Sequence, residues 1–389
     1  MKKILLVALL AVLAFSFAPL ARAQDTWLPR PSGIAANLWS VASGNNQWVA
    51  VGEQGTIVTS SDGFTWTPRT SGFPARWIVA VGYGNGLWVA VGEGGLILTS
   101  PDAVVWTART SGTTARLNGV AYGGGRWMAV AESGELITST DPLIAWTALR
   151  PSSDRLRGIL YAYGQFVITG DNGLMRTTID ATDYAANILP GGFFVESVAY
   201  GRRAFVAVGE DGYAVTSTDA VSWSSLASGT TAYLRGVTFF NGQFIAVGTG
   251  GAILTTPAPG TAWNVRNSGS TSVLTAVAAS DSAVVAVGLG GTILRSAPTA
   301  AAPIIVAAPA HSIAAAGDNV LFGVTATGSL PLAYQWNFNG TPLAGQTSER
   351  LLVGNVQPAQ AGSFTVTVAN SLGLVTSAPA SLTLVASTA

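Results

Sequence analysis

The chain has 389 residues, with 19 basic and 19 acidic side chains, one histidine and no cysteine. That composition excludes disulfides, thiol nucleophiles, zinc–thiolate sites and iron–sulfur clusters, and the single His311 cannot build a multi-histidine metal site. A chain of this length can bury a large apolar core without covalent cross-links.

The first 23 residues read as a secretory signal peptide. Lys2 and Lys3 give a positive start, residues 4–20 are almost wholly apolar, and Ala21-Arg22-Ala23 is a small-x-small site with cleavage expected after Ala23. A retained membrane helix is the weaker reading, and with no cysteine after the site a lipid anchor is excluded. Cleavage removes three of the 19 basic residues and leaves sixteen arginines against 19 acids, a net charge of −3. That balance is no footprint for nucleic acid or anionic lipid. No later apolar run is long enough to span a bilayer. The mature chain is expected to be secreted or periplasmic, without stable membrane insertion.

From residue 24 the chain is periodic. A glycine returns as Gly52, Gly92, Gly170, Gly209, Gly248 and Gly288, with Ala131 in the third unit, at steps of 39 or 40 residues. A second keeps time three positions later as Gly55, Gly95, Gly134, Gly173, Gly212, Gly251 and Gly291. Such a period means one supersecondary unit repeated seven times. Each unit reads as four strands. The first follows Leu-x-x-Val-Ala-Tyr, clearest over residues 117–122. A hairpin turn such as Asn85-Gly86 or Asn241-Gly242 comes next, where both residues can take positive φ. The second strand, as in Trp48-Val49-Ala50-Val51, is apolar on both faces, which suits a strand held between neighbouring sheets. The pacing glycines make the next turn, and the fourth strand starts at an aromatic such as Trp66.

The seventh unit stops at Ser296 without its fourth strand, and the missing piece lies at the other end. Trp27-Leu28-Pro29-Arg30-Pro31-Ser32-Gly33 matches residues 66–72. An open ring would leave two unpaired sheet edges, and pairing the chain's ends removes both. The expected fold is all-β: a seven-bladed β-propeller over residues 24–298, closed by the N-terminal strand. An open β-solenoid would need polar capping units rather than a split one.

Between the third and fourth strands lies Ser60-Ser61-Asp62-Gly63-Phe64-Thr65-Trp66. It resembles the Asp box of sialidase-type and related BNR-like propeller repeats, except that Asp and Gly adjoin here instead of being one residue apart. The acid returns as Asp102, Asp141, Asp180 and Asp219 and is lost at Ala258; the aromatic returns as Trp106, Trp146, Tyr184, Trp223 and Trp263. A carboxylate there accepts N–H bonds of its own turn, and the aromatic plugs the gap between sheets. One copy per unit argues for a structural role.

Residues 299–303 are a short Ala/Pro/Thr linker. Beyond it, residues 322–328 look like one core strand, Tyr334-Gln335-Trp336 like a second with a buried Trp, and residues 361–366 like a third. The set resembles a bacterial immunoglobulin-like domain over residues 304–386. By that resemblance Val324 and Val366 stand where inter-sheet cysteines would be, and Phe364 replaces the corner tyrosine. Such modules are usually spacers or binding units.

A propeller's ligand site, where it has one, usually lies at the mouth of the central channel, so the turns after the pacing glycines and the blade entrances are the places to look. The turns carry Glu53, Glu93, Glu132, Asp171 and Glu210, then Thr249 and Leu289. The entrances carry Arg76, Arg116, Arg155, Arg157 and Arg235, with Trp39, Trp77 and Tyr233. Two readings compete: these charges pair between neighbouring blades and keep the rim soluble, at only about 0–1 kcal/mol each, or the arginines, whose planar fork suits two-point capture of a carboxylate, grip a carboxylate, a sugar or a partner protein with the aromatics beside them. The candidate ligand face is therefore Arg76, Arg116, Arg157, Arg235, Glu93, Glu132, Trp77 and Tyr233, with no catalytic or metal site and no cofactor. For glycoside hydrolysis the off-pattern acids Asp154, Asp183, Glu196, Asp211 and Asp281 would be the candidates, and none sits in a catalytic motif. Serine-protease chemistry would need His311, outside the repeats. The Gly-rich residues 122–126 lack the Lys-Ser/Thr of a phosphate loop, and Asp171-Asn172-Gly173 is a shared turn rather than a calcium loop.

Over residues 24–298 the repeat looks most like the propellers of photosystem II stability/assembly-factor-like proteins. The resemblance implies a scaffold that holds other proteins during assembly, not an enzyme, and it covers no partner site. The expected function is an exported, monomeric, non-enzymatic binding or scaffolding protein that takes a protein or glycan on its propeller face, with no nucleic-acid partner. The alternative is an extracellular sialidase-like or other glycoside hydrolase or carbohydrate-binding propeller.

Overall fold

The computed structural model describes residues 26–150, 153–182, 184–257, 261–297, 302–327, 332–370 and 372–385. The expected signal peptide, Asp183, Ala258, residues 299–301 of the expected linker and residue 386 lie outside them. The chain divides into two compact units at residue 298.

Among the described residues, the first unit holds seven four-stranded antiparallel sheets. In the first sheet, Leu38–Gly44, Gln47–Gly52, Ile57–Ser60 and Thr67–Arg69 follow one another side by side in chain order. Five more sheets repeat that order. Their first strands are Ile78–Gly84, Leu117–Gly123, Leu156–Ala162, Val195–Gly201 and Leu234–Phe240. The last sheet contains Leu274–Ala279, Val284–Gly288 and Ile293–Ser296, and its fourth strand is Trp27–Pro29. Trp27 lies opposite Ser296, Leu28 opposite Arg295 and Pro29 opposite Leu294. The Arg30 N–H donates to Ile293 O at 2.9 Å and the Ala297 N–H to Thr26 O at 2.8 Å. First strands pack each on the next, and that of the seventh sheet packs on that of the first. The unit is all-β, and its repeated sheets are consistent with a propeller.

The second strands explain why the sheets stack. Val49, Ala50 and Val51, like Val89, Ala90 and Val91, are buried on both faces; each buried valine contributes roughly 1.5 kcal/mol or more relative to exposure. Alanine recurs at the centre as Ala50, Ala90, Ala129, Ala207, Ala246 and Ala286, so facing sheets can approach. Paired rings recur in the second to sixth sheets, as with Tyr83 on Trp88 at 4.8 Å, Tyr161 on Phe166 at 4.9 Å and Tyr200 on Phe205 at 4.6 Å. The first of these rings also lies against the preceding sheet. A Cβ on Gly123 would fall 1.9 Å from the Tyr161 ring, so close approach demands glycine there.

The pacing turns add a second constraint. Gly95 has φ +69° and a Cβ on it would meet the Thr113 carbonyl at 2.0 Å. Its N–H donates to Ala115 O of the next connection at 2.8 Å, as the Gly212 N–H does to Ala232 O at 2.9 Å. The third sheet, with Ala131 in place of glycine, closes differently: the Gly134 N–H turns back to Ala131 O at 3.1 Å.

The acidic turns are local staples. Asp62 Oδ1 accepts the Phe64 and Thr65 N–H groups at 2.7 and 3.0 Å. Asp219 Oδ1 accepts those of Val221 and Ser222, both at 2.8 Å, and the Ser217 hydroxyl at 2.8 Å. The Ser222 and Val221 N–H bonds, then the Ser217 hydroxyl, hold the Asp219 carboxyl down at about 2. The aromatic after each acid packs against the preceding sheet. Trp66 clusters with Val285 and Val287 of the seventh sheet, and Trp27, 4 % exposed, fills the same place between the seventh and sixth sheets, beside Ile245 and Val247. The seam between seventh and first sheets has its own clasp. The Phe64 ring lies between the Arg30 and Arg295 guanidiniums, 4.5 and 3.9 Å from its centroid, and Arg295 Nε donates to Asp62 O at 3.1 Å.

The second unit contains a six-stranded sheet and two two-stranded sheets. Phe322, Val324, Trp336, Phe364 and Val366 are buried in one apolar cluster. Trp336 Nε1 donates to Ser348 O at 2.9 Å, which satisfies the indole at no cost to packing. His311 Nδ1 accepts the Ser381 N–H at 2.9 Å on the surface.

Two expectations follow. Trp27→Ala should lower stability by about 3–5 kcal/mol, and deletion of residues 24–33 should lower the thermal midpoint further; an unchanged midpoint in the deletion would show that the first strand holds nothing together. For Asp219 the folded pKa lies below the unfolded value near 3.9, so its stabilisation is complete above about pH 4 and is lost as pH falls through about 2. Because the group is exposed, the effect is discounted to under about 1 kcal/mol. Asp219→Asn should remove that share of the acid-induced loss in urea titrations, and identical acid profiles would contradict it.

Candidate functional site

Every first strand begins with the same irregularity. Register slips by one residue between Leu38 and Ser40, Ile78 and Ala80, Leu117 and Gly119, Leu156 and Gly158, Val195 and Ser197, Leu234 and Gly236, and Leu274 and Ala276. A bulge leaves one residue out of the ladder and re-aims its side chain. The seven residues so freed are Trp39, Val79, Asn118, Arg157, Glu196, Arg235 and Thr275. All seven line one cavity of about 560 Å³, joined by Trp77, Arg116 and Arg155 from the strand entrances.

The charged side of the cavity is built around Arg157. Its Nε pairs with Asp171 and its Nη1 with Glu196 at 2.7 Å. Nη1 also donates to the Tyr233 hydroxyl at 3.2 Å, that hydroxyl donates to Glu196 at 2.8 Å, and the guanidinium lies 4.3 Å over the Phe194 ring. Burial opposes the charge on Arg157, but Glu196 and Asp171 outweigh it and raise its pKa. Burial first, then the Glu196 charge, pushes the Tyr233 phenol well above its ordinary value, so it stays protonated. Arg155 pairs with Glu132 at 2.6 Å.

Ring stacking holds the other groups. Trp39 and Trp77 stack at 5.6 Å with 26° between planes, and the Arg116 guanidinium lies 5.6 Å over Trp77. Arg235 lies 4.5 Å over the Tyr233 ring. Among the described residues no carboxylate forms an ion pair with Arg116 or Arg235. Arg116 Nε, Arg235 Nε and Trp39 Nε1 are buried without a hydrogen-bond acceptor. Such orphan donors are costly unless something supplies the acceptor.

The structure thus brings Trp77, Arg116, Arg157 and Arg235 to one cavity, with Tyr233 reaching it through its hydroxyl and Glu132 through Arg155. Glu93 serves the entrance: its Oε2 accepts the Trp77 N–H at 3.0 Å. Arg76 stands apart. Its Nη1 donates to Gly94 O at 3.4 Å, and it lines a separate groove with Phe73, Arg109 and Glu135. The acids after the pacing glycines are clamps for the strand entrances. Glu53 Oε1 holds the Asn37 amide at 3.0 Å, Glu210 Oε2 accepts the Phe194 N–H at 3.4 Å, and the Thr249 hydroxyl accepts the Tyr233 N–H at 3.0 Å in place of an acid. Sequence reasoning missed the bulge positions as a set; Glu196 entered only as an off-pattern acid, and Val79, Asn118 and Thr275 not at all. The available signal was that the residue after each unit's leading Leu, Ile or Val is the one that changes character from unit to unit. Among the described residues no group of His, Asp and Glu could hold a metal ion.

No family model and no curated protein matches the chain. A solved structure, YCF48 bound to D1 peptide, is similar over 72 % of this chain and 99 % of that one, at 16 % identity and a TM-score of 0.60. The computationally designed Ika8 protein (12 % identity, 68 % of this chain and 96 % of that one, TM-score 0.49) and tandem Ig repeats of Dlar (19 %, 25 % and 70 %, TM-score 0.21) are fainter likenesses that carry no weight for the fold. YCF48 is a β-propeller, and at 16 % identity the likeness is one of fold alone.

The two kinds of arginine should separate on mutation. Arg157→Gln leaves two carboxylates without their cation and should lower stability by about 2–3 kcal/mol; Tyr233→Phe should cost about 1 kcal/mol. Arg116→Gln should stay within about 0.5 kcal/mol of the parent in urea denaturation. Equal losses for Arg116 and Arg157 would contradict the division.

Proposed function

We propose that the first unit is one closed seven-bladed β-propeller with Asp-box turns, that the second is an immunoglobulin-like β-sandwich, and that the chain is an exported, monomeric, non-enzymatic binding or scaffolding protein whose cavity takes a protein partner. Export rests on the N-terminal pattern of residues 1–23. Closure is supported by the pairing of Trp27–Pro29 with Ile293–Ser296 and by the packing of the seventh first strand on the first. The observation that carries the binding role is the pair Arg116 and Arg235. Their guanidiniums face a common cavity, have no carboxylate partner among the described residues, and each keep a buried N–H without an acceptor. Groups in that state suit an acidic ligand. That YCF48 is seen with a peptide bound supports a peptide as the kind of partner.

One observation favours a second reading, a sialidase-like or other glycoside hydrolase. Tyr233 and Glu196 form a hydrogen-bonded phenol–carboxylate pair beside the arginines, and a tyrosine nucleophile is one route to glycoside cleavage. Against it, Glu196 is committed to Arg157 and the phenol is held protonated. Capture of partners from the native exporting cell, with mature chain and with Arg116→Glu plus Arg235→Glu, tests the binding reading: a partner should fall away at least tenfold, as for loss of a buried charge contact. Retention of every partner, or turnover in a screen of sialoside and glycoside substrates, would contradict it.

A further inference from the structure

We propose that the cavity is a two-part reader for an acidic–aromatic peptide segment, resting on the binding role above and going beyond it. An acidic side chain of the segment would sit on Arg116 or Arg235, and a neighbouring aromatic or large aliphatic side chain on Trp39 and Trp77. The seven bulges present side chains at equivalent backbone positions, so any asymmetry in the cavity comes from residue identity alone. That asymmetry is sectored. Sheets seven, one and two contribute Thr275, Trp39 and Val79 with the stacked Trp77. Sheets three to six contribute Asn118, Arg157, Glu196 and Arg235 with Arg116.

Within the polar sector the groups divide again. Asn118 Nδ2 already donates to Leu156 O at 2.8 Å. Arg157 and Glu196 satisfy each other, which makes Arg157 a positioning residue that holds Tyr233 under Arg235. Arg155 is paired with Glu132. Arg116 and Arg235 remain, on the third and sixth sheets, each steadied by a ring and not by a carboxylate. With the indole N–H of Trp39 they form a set of donors with no acceptors. The selectivity for a carboxylate comes from the guanidiniums of Arg116 and Arg235, which have no ion-pair partner among the described residues, and not from net charge, because the pacing turns carry Glu53, Glu93 and Glu210. A peptide side chain meets both sectors at once: its acid reaches the arginines while an adjoining ring lies on the indoles.

Display of randomised seven-residue peptides, flanked on both sides by Gly/Ser so that no free terminal carboxylate is offered, tests this on the mature full chain. The parent should enrich Asp or Glu beside Phe, Tyr, Trp or Leu. Arg116→Gln with Arg235→Gln should lose the acid preference at least tenfold and keep the aromatic one. Trp77→Leu should do the reverse, and Trp39→Phe provides a milder second variant if Trp77→Leu melts below the assay temperature. Arg157→Gln should weaken both together. Enrichment of basic or purely neutral peptides, no enrichment at all, an unchanged consensus in the variants, or competition by a glycan and not by peptide would overturn the proposal. A native partner whose capture needs Arg116 and Arg235 but which lacks such a segment would also overturn it, while leaving the broader binding role intact.

Discussion

The structure depends on how closely one sheet can lie on the next. A strand such as residues 48–51 is apolar on both faces, so it is stable only with a neighbour on each side. Alanine at its centre and glycine under the neighbour's ring bring those neighbours within contact, and the tyrosine or phenylalanine of the following sheet fills what remains. Gly123 beneath Tyr161 shows how little slack there is. Because every sheet needs two partners, the row of sheets has no comfortable end. The first strand of the described chain supplies the missing edge of the last sheet, and Trp27 occupies the gap that Trp66 and its counterparts occupy elsewhere.

The start of each first strand is one place where the repeat varies, and the residues there line a shared cavity. The bulge at the start of each first strand takes a residue out of the ladder and turns it toward the shared cavity. Packing holds the residues before and after it, while the freed side chain takes the partners its own chemistry finds, as Asn118 does at Leu156 O and Thr275 at Leu38 O. Seven copies of one backbone device therefore carry six kinds of side chain, arginine alone appearing twice. Part of the set has closed on itself, with Arg157, Asp171, Glu196 and Tyr233 forming a satisfied network of the kind that fixes geometry. Arg116 Nε, Arg235 Nε and Trp39 Nε1 were left buried without acceptors.

Much of this was legible in the sequence, for physical reasons that differ from part to part. The all-β character, the four-strand unit and the complementary ends followed from glycine timing and from Trp27-Leu28-Pro29-Arg30, because backbone turns and apolar strands constrain residue type strongly. Asp62 and its counterparts were readable as turn staples, since a carboxylate two or three residues from backbone N–H groups has one easy use. The site was legible only in part. Trp77, Arg116, Arg157 and Arg235 were chosen for residue type at the blade entrances, and the cavity unites them. Arg76 has the same type, yet it stands two residues before its strand's leading Ile78, where Arg116 directly precedes Leu117, and it turns to Gly94 O. Glu93 looked like half of a charged rim and is instead the acceptor for a strand-entrance N–H. Which way a side chain points at a bulge is a property of register, and register is not written in the residue itself.

The central claim is that the described N-terminal strand is an integral part of the seventh sheet. Hydrogen exchange at the Arg30 and Ala297 amides, which bond Ile293 O and Thr26 O, tests it without altering the chain. The account predicts protection of both amides that approaches that of Val285 and Val287 in the second strand of the same sheet. Exchange at these two positions as fast as in a free strand, with Val285 and Val287 still protected, would contradict it.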